Sequence, residues 1–184
     1  LPDDPMRPAA EIRVLSTDVL TFLQGGDLEV MVPGKEERKQ MRSPERIVAI
    51  ARQRIGEDGY HILHNNCHLY GDVALCGTRG WFYEEEKEGQ SAKVFNRELQ
   101  RLETSLKAAG EKEKLCFLHY PPLYQGYRCQ EIIDLMERYE VKRCYYGHLH
   151  GGSHRLAIAG QVGGVEYHLV AADYLGFRPL KVLD

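Results

Sequence analysis

The sequence predicts an α/β fold, a mixed sheet with helices on its face and a second sheet packed against it. Three observations predict it. Short apolar runs alternate with amphipathic helical patterns between Val73 and Tyr146. Apolar residues in those helical patterns recur at spacings of three and four, which puts them on one face. A series of short strand-like segments separated by glycines closes the chain after His154. With 184 residues, 43% of them hydrophobic, there is enough chain for one domain with a core of its own.

Taken in order, residues 1–42 form an atypical N-terminal segment without a sustained period. They combine a Pro-rich opening, an apolar patch at Val19–Leu23 and a charged run from Lys35 to Arg42. A short strand or helix is expected around 12–23, and Gly25-Gly26-Asp27 marks a turn. The domain proper is expected over 43–184. Ser43 as N-cap and Pro44 at the first helical position open a helix carrying Ile47, Val48, Ile50, Ala51 and Ile55, which Gly56 closes.

Next, Tyr60–Leu63, Cys67–Leu69 and Val73–Cys76 read as strands, the last two joined by a hairpin turn at Tyr70-Gly71-Asp72. A glycine-punctuated loop, Gly77-Thr78-Arg79-Gly80-Trp81, leaves the sheet, and Glu84–Glu88 reads as a solvated acidic run. A helix over Ser91–Ala109 turns Phe95, Leu99, Leu102, Leu106 and Ala109 inward and stops at Gly110. Leu115–Leu118 is a buried strand. Cys129–Tyr139 is a helix with Ile132, Ile133, Met136 and Tyr139 inward, and Val141–Tyr146 is the next strand. His154–Ile158, Val165–Ala171 and Phe177–Val182 read as antiparallel strands.

The chemistry-bearing residues sit where strands stop. Leu115–Leu118 runs into His119-Tyr120-Pro121-Pro122, and Val141–Tyr146 runs into Gly147-His148-Leu149-His150-Gly151-Gly152. Side by side in a sheet, those strands would bring three imidazoles from two distant segments to one point. Alternation along an extended Gly-His-Leu-His would turn His148 and His150 to the same side. Neutral imidazole suits zinc, manganese or iron, and the paired thiolates of a structural zinc site are absent around these histidines.

At these residues the chain resembles the calcineurin-like metallophosphoesterases, in particular the small bacterial branch loosely called Ser/Thr-protein-phosphatase-like. The matching stretches are YGDVALCGTRGW at 70–81, FLHYPP at 117–122, YYGHLHG at 145–151 and GVEYHLVAADYLGFRPLKV at 164–182. They match in order and spacing from about Tyr60 onward and do not reach the first 42 residues. The resemblance implies an α/β/β/α sandwich with mixed sheets and hydrolysis of a phosphoester at two divalent ions (Mn, Fe or Zn) beside the strand ends. It also implies that His119 and His148 are ligands of one metal and His150 of the other. Arg79 and Tyr120, at the mouth, would reach a phosphate oxygen.

The family's upstream ligand motifs, Asp-x-His, Gly-Asp-x-x-Asp and Gly-Asn-His-Asp, are absent. Asn65 and Asn66 do not belong to such a motif, and Gly26-Asp27 is only a faint stand-in for the second. Without a bridging carboxylate, the three imidazoles are expected to hold one ion or none. The chain therefore reads as the C-terminal portion of a longer hydrolase. Two alternatives are a catalytically inactive phosphoesterase-fold domain that serves as a binding module, and a chain whose missing ligands come from a partner. Other histidine enzymes fit worse: Gly152 occupies the aspartate position of the metallo-β-lactamase motif, and the chain is too short for an amidohydrolase barrel.

Composition narrows the partners. A net charge of −3 with Lys and Arg dispersed among Asp and Glu marks no basic face for nucleic acid. No apolar run reaches the roughly 18 residues of a membrane span, and no signal-peptide pattern is present. Five cysteines, Cys67, Cys76, Cys116, Cys129 and Cys144, read as reduced buried thiols of a cytoplasmic protein. The expected partner is a phosphoester substrate; the oligomeric state is left open.

Overall fold

The computed structural model describes residues 63, 65–81, 91–176, 178 and 180–183, with the strand backbone of 13–14, 20–24 and 27–31. The helix expected over 43–56, the strand residues 60–62 and the acidic run at 84–88 lie outside the described residues. Three short strands come first: β1 (Arg13–Val14), β2 (Leu20–Gln24) and β3 (Asp27–Met31). β2 and β3 pair antiparallel with Gln24 opposite Asp27, and the turn expected at Gly25-Gly26 lies outside the described residues.

The main sheet starts with the hairpin of β4 (Cys67–Tyr70) and β5 (Val73–Thr78). Helix α1 (Ser91–Ala108) leads to β6 (Glu113–Leu118), and a small hairpin of β7 (Leu123–Tyr124) and β8 (Tyr127–Arg128) follows. Helix α2 (Gln130–Arg138) leads to β9 (Val141–Tyr146). After a 3₁₀ segment over Gly151–Leu156 come β10 (Gly160–Val162), β11 (Val165–Leu169) and β12 (Leu180–Lys181). Six strands form one sheet in the order β10-β11-β9-β6-β5-β4. Its centre, β11-β9-β6-β5, is parallel, and an antiparallel strand lies on each edge.

Alternation along these strands sorts the core into two faces. Ala74, Cys76, Cys116, Leu118, Cys144, Tyr146, Val165, Tyr167 and Leu169 point toward the helices, against Leu102 and Leu106 of α1 and Ile132, Ile133 and Met136 of α2. Full burial of each such Leu or Ile is worth about 1.5–3 kcal/mol. Leu115, Tyr145, Val170 and Val182 form a second cluster with Val73, Leu75, Phe117 and Leu180. Both faces of the parallel centre are thus apolar, as crossover connections require.

Four cysteines stand in one row across the helix-facing side, Cys67 opposite Cys76, Cys76 beside Cys116 and Cys116 beside Cys144. All five cysteines are free thiols. Burial chiefly pushes the Cys76 thiol up, so it stays protonated. Gly77 follows in β5, where an added Cβ would stand 2.1 Å from the Phe117 carbonyl oxygen. Only glycine lets β5 and β6 approach so closely.

Two expectations at the C-terminal end need correction. Residues 154–158 do not make a strand: Ser153 N–H donates to the His150 carbonyl (3.0 Å) and Ala157 N–H to that of His154 (3.1 Å), winding the chain into the 3₁₀ segment. The antiparallel partner of β11 is β10, which begins at Gly160, just past the expected strand's end at Ile158. Of the described residues in the last expected strand, Leu180 and Lys181 pair, and their partner is β1, so part of the N-terminal segment lies alongside β12. That pairing joins residues too distant in sequence for any local pattern to register it.

Candidate functional site

The expectation that two strands would lie side by side and bring the histidine groups together holds for β6 and β9, which pair in parallel with Leu118 beside Tyr146. His119 directly follows β6, and His148 stands two residues beyond β9. The loops are stitched to one another by backbone hydrogen bonds. His119 and Tyr120 N–H both donate to the Arg79 carbonyl, at 3.1 and 2.9 Å, and Gly147 N–H donates to the carbonyls of Leu118 and His119, at 3.2 and 3.1 Å. Val170 N–H donates to Tyr146, 2.8 Å, tying in the end of β11. Loops following β5, β6, β9 and β11 therefore share one rim, where open α/β sheets gather ligands.

The Gly-His-Leu-His stretch does not run extended. Leu149 N–H donates to the Gly147 carbonyl (2.8 Å) across His148, whose φ is +68°. This is the positive-φ γ-turn, a strained conformation for a side-chain-bearing residue. Alternation is broken at that residue, and the two histidines meet different neighbours. The His148 ring packs on His119, 5.2 Å between centroids, and on Tyr120, 4.6 Å. His119 also meets Tyr120 edge to face at 4.7 Å. The exposed Arg79 guanidinium lies 5.4 Å from the centroid of the buried Tyr120 ring, a cation–π distance.

His150 faces Asp173 instead. Its Nδ1 lies 2.8 Å from Asp173 Oδ1, and Gly151 N–H donates to Oδ2 at 2.7 Å. His154 Nε2 is 3.2 Å from the same Oδ1, and Tyr174 N–H donates to it at 3.0 Å. Burial acts to raise the Asp173 pKa, but the Gly151 amide and the two imidazoles outweigh it and hold the carboxyl well below the usual range.

Three residues of this framework were not among the expected site residues. Asp173 lies inside the family-like stretch at 164–182, and His154 just before it; neither spacing reveals their partner. Glu98 did leave a trace: it falls three residues after Phe95 and four before Leu102, on the apolar face of α1. It is 4% exposed. Thr78 Oγ1 donates to its Oε1 at 2.5 Å and Gly80 N–H at 3.1 Å, while Gly80 N–H also reaches Thr78 Oγ1 at 3.0 Å. Gly80 has φ +75°, and an added Cβ there would stand 3.0 Å from the Tyr120 carbonyl oxygen. Glu98 thus shapes the 78–80 turn, whose Arg79 carbonyl holds His119 and Tyr120.

As for the other candidates, Asn66 Nδ2 lies 3.1 Å from His68 Nε2 and its carbonyl accepts from Ser105, a structural set of contacts on the α1 side. Asp27 belongs to β3, and its side chain lies outside the described residues. Among the described residues, no three His, Cys, Asp or Glu side chains are gathered closely enough to hold a metal ion. Nor, among them, is any helix long and apolar enough to cross a membrane. Comparison with protein-family models, with curated proteins and with solved structures finds no match.

Proposed function

We propose that the chain is a metal-dependent phosphoester hydrolase of the calcineurin-like kind, or a portion of one, acting at the ends of the parallel strands. One observation carries the reading: imidazoles from two distant segments, His119 after β6 and His148 past β9, meet in ring contact at 5.2 Å. The sandwich that goes with this reading is supported by the second apolar cluster on the face away from the helices, and by the β1–β12 pair beside it. The free thiols, with Cys76, Cys116, Cys129 and Cys144 buried, support a reducing, cytoplasmic setting.

By donor type His119, His148 and His150 suit a borderline divalent ion such as manganese, iron or zinc, and they would have to draw together to hold it, since no three such donors are gathered among the described residues. A histidine whose Nδ1 rests on a carboxylate, as His150 does on Asp173, is the usual form of a metal-ligating imidazole. Three imidazoles supply the donors of one ion rather than two. A bound ion would supply Lewis-acid polarisation of a phosphate oxygen. The protein's own part is to place and neutralise the substrate. Arg79 presents a planar fork of donors that matches phosphate oxygens, and the Tyr120 face beneath it limits where that fork swings.

A second reading, an inactive phosphoesterase-fold binding module with at most one ion, is favoured by the arrangement of the described residues, among which no three donors are gathered. Metal analysis of the purified chain, combined with manganese-dependent release of nitrophenol from an aryl phosphate and an aryl phosphodiester, separates the two. The hydrolase reading expects bound ion and manganese-dependent release. Bound ion without release favours the module, and neither bound ion nor release removes both the ligand assignment and the activity.

A further inference from the structure

We infer that Asp173 is a positioning residue: through its hydrogen bond to Nδ1 it holds the His150 ring in the tautomer that carries its lone pair on Nε2. The chemistry follows from the donor inventory. An ionised carboxylate has no proton to give, so in the 2.8 Å contact the proton must sit on His150 Nδ1, and in a neutral imidazole the lone pair is then on Nε2. Both carboxylate oxygens are held. Oδ2 takes the Gly151 amide at 2.7 Å and Oδ1 takes the Tyr174 amide at 3.0 Å, while His154 Nε2 approaches Oδ1 to 3.2 Å without hydrogen-bond geometry. This fixed carboxylate joins the loop after β9 to the loop after β11. Between them the ring has one orientation, although the neighbouring His148 is in a γ-turn that does not itself direct His150.

What Nε2 is presented to rests on the proposed metal role of His150; the tautomer does not. The test uses the full chain labelled with ¹⁵N, free of metal and near pH 8, read by long-range proton–nitrogen correlation of the histidine rings. A protonated Nδ1 and an unprotonated Nε2 at His150 are expected in the wild type. Asp173→Ala should move the ring toward Nε2–H, while Asp173→Asn, whose amide oxygen still accepts from Nδ1–H, should keep the wild-type form. Zinc alone, titrated by calorimetry, should bind about 10–100-fold more weakly to Asp173→Ala.

An Nε2–H ring at His150 in the wild type overturns the inference, and needs no variant to do so. An unmoved tautomer in folded Asp173→Ala overturns it as well. Tight zinc binding equal in wild type and Asp173→Ala overturns the positioning role while leaving the hydrolase reading in place. The expected tautomers without any zinc binding support the role of Asp173 and count against the hydrolase reading instead.

Discussion

Glu98→Ala removes the acceptor on which the turn beside the candidate site is built. Two donors lose it: Thr78 Oγ1–H at 2.5 Å and Gly80 N–H at 3.1 Å. Arg101, 3.3 Å from the other oxygen, is 45% exposed in its side chain, so its ion pair adds little. Each buried hydrogen bond to a charged group is worth about 1.5–3 kcal/mol, and the Thr78 hydroxyl already within reach of Gly80 N–H offsets part of the loss. The net destabilisation is about 2–3 kcal/mol, which in a chain of this size lowers the melting temperature by roughly 4–12 °C. Glu98→Gln keeps the oxygen without its charge, so it should cost only about 1 kcal/mol. Urea unfolding measures both changes. Amide exchange adds a local readout, because the His119 and Tyr120 amides bonded to the Arg79 carbonyl should lose protection in the Ala variant beyond the global change. A loss under about 1 kcal/mol, with those two amides protected as in the wild type, would refute the reasoning.

Three further outcomes follow from particular contacts. Gly77→Ala forces a Cβ to 2.1 Å from the Phe117 carbonyl oxygen, so β5 and β6 must separate; a loss of about 3 kcal/mol or more is expected by urea unfolding, and a loss below about 1 kcal/mol would show that the strands part easily. Tyr146 donates to the Ile158 carbonyl at 2.8 Å, and burial pushes its phenol from 10.0 up to about 12. Its folded pKa is raised, so its contribution is complete below pH 10 and is lost as pH climbs toward 12, where the unfolded chain ionises first. Tyr146→Phe should cost about 1 kcal/mol at neutral pH and flatten that alkaline loss, and an unchanged pH profile of unfolding would count against it. At His148 the positive φ makes Gly better tolerated than Ala: His148→Gly should be about 1 kcal/mol more stable than His148→Ala by thermal melting, while both lower metal occupancy along with His150→Ala. Unchanged occupancy in the 148 and 150 variants would remove the ligand assignment.

The sequence by itself determined the elements whose signal is local. Phe95, Leu102 and Leu106 at helical spacing predict α1, and α2 is read the same way from Ile132, Ile133 and Met136, because an amphipathic stripe is a property of a few consecutive turns. The strands β5, β6 and β9 and the β4–β5 turn were legible for the same reason, and with them the placing of His119 and His148 at neighbouring strand ends. Only the tertiary structure decided what depends on partners far along the chain. β12 pairs with β1 across the whole described length, and Glu98 reaches back to Thr78 and Gly80 from the buried face of a helix. Asp173 meets His150 over 23 positions, and no local period encodes such a contact. The turn at His148 belongs here too. Its positive φ sets Leu149 N–H on the Gly147 carbonyl while Gly147 N–H is held by Leu118 and His119, so its cost is met by contacts with another strand.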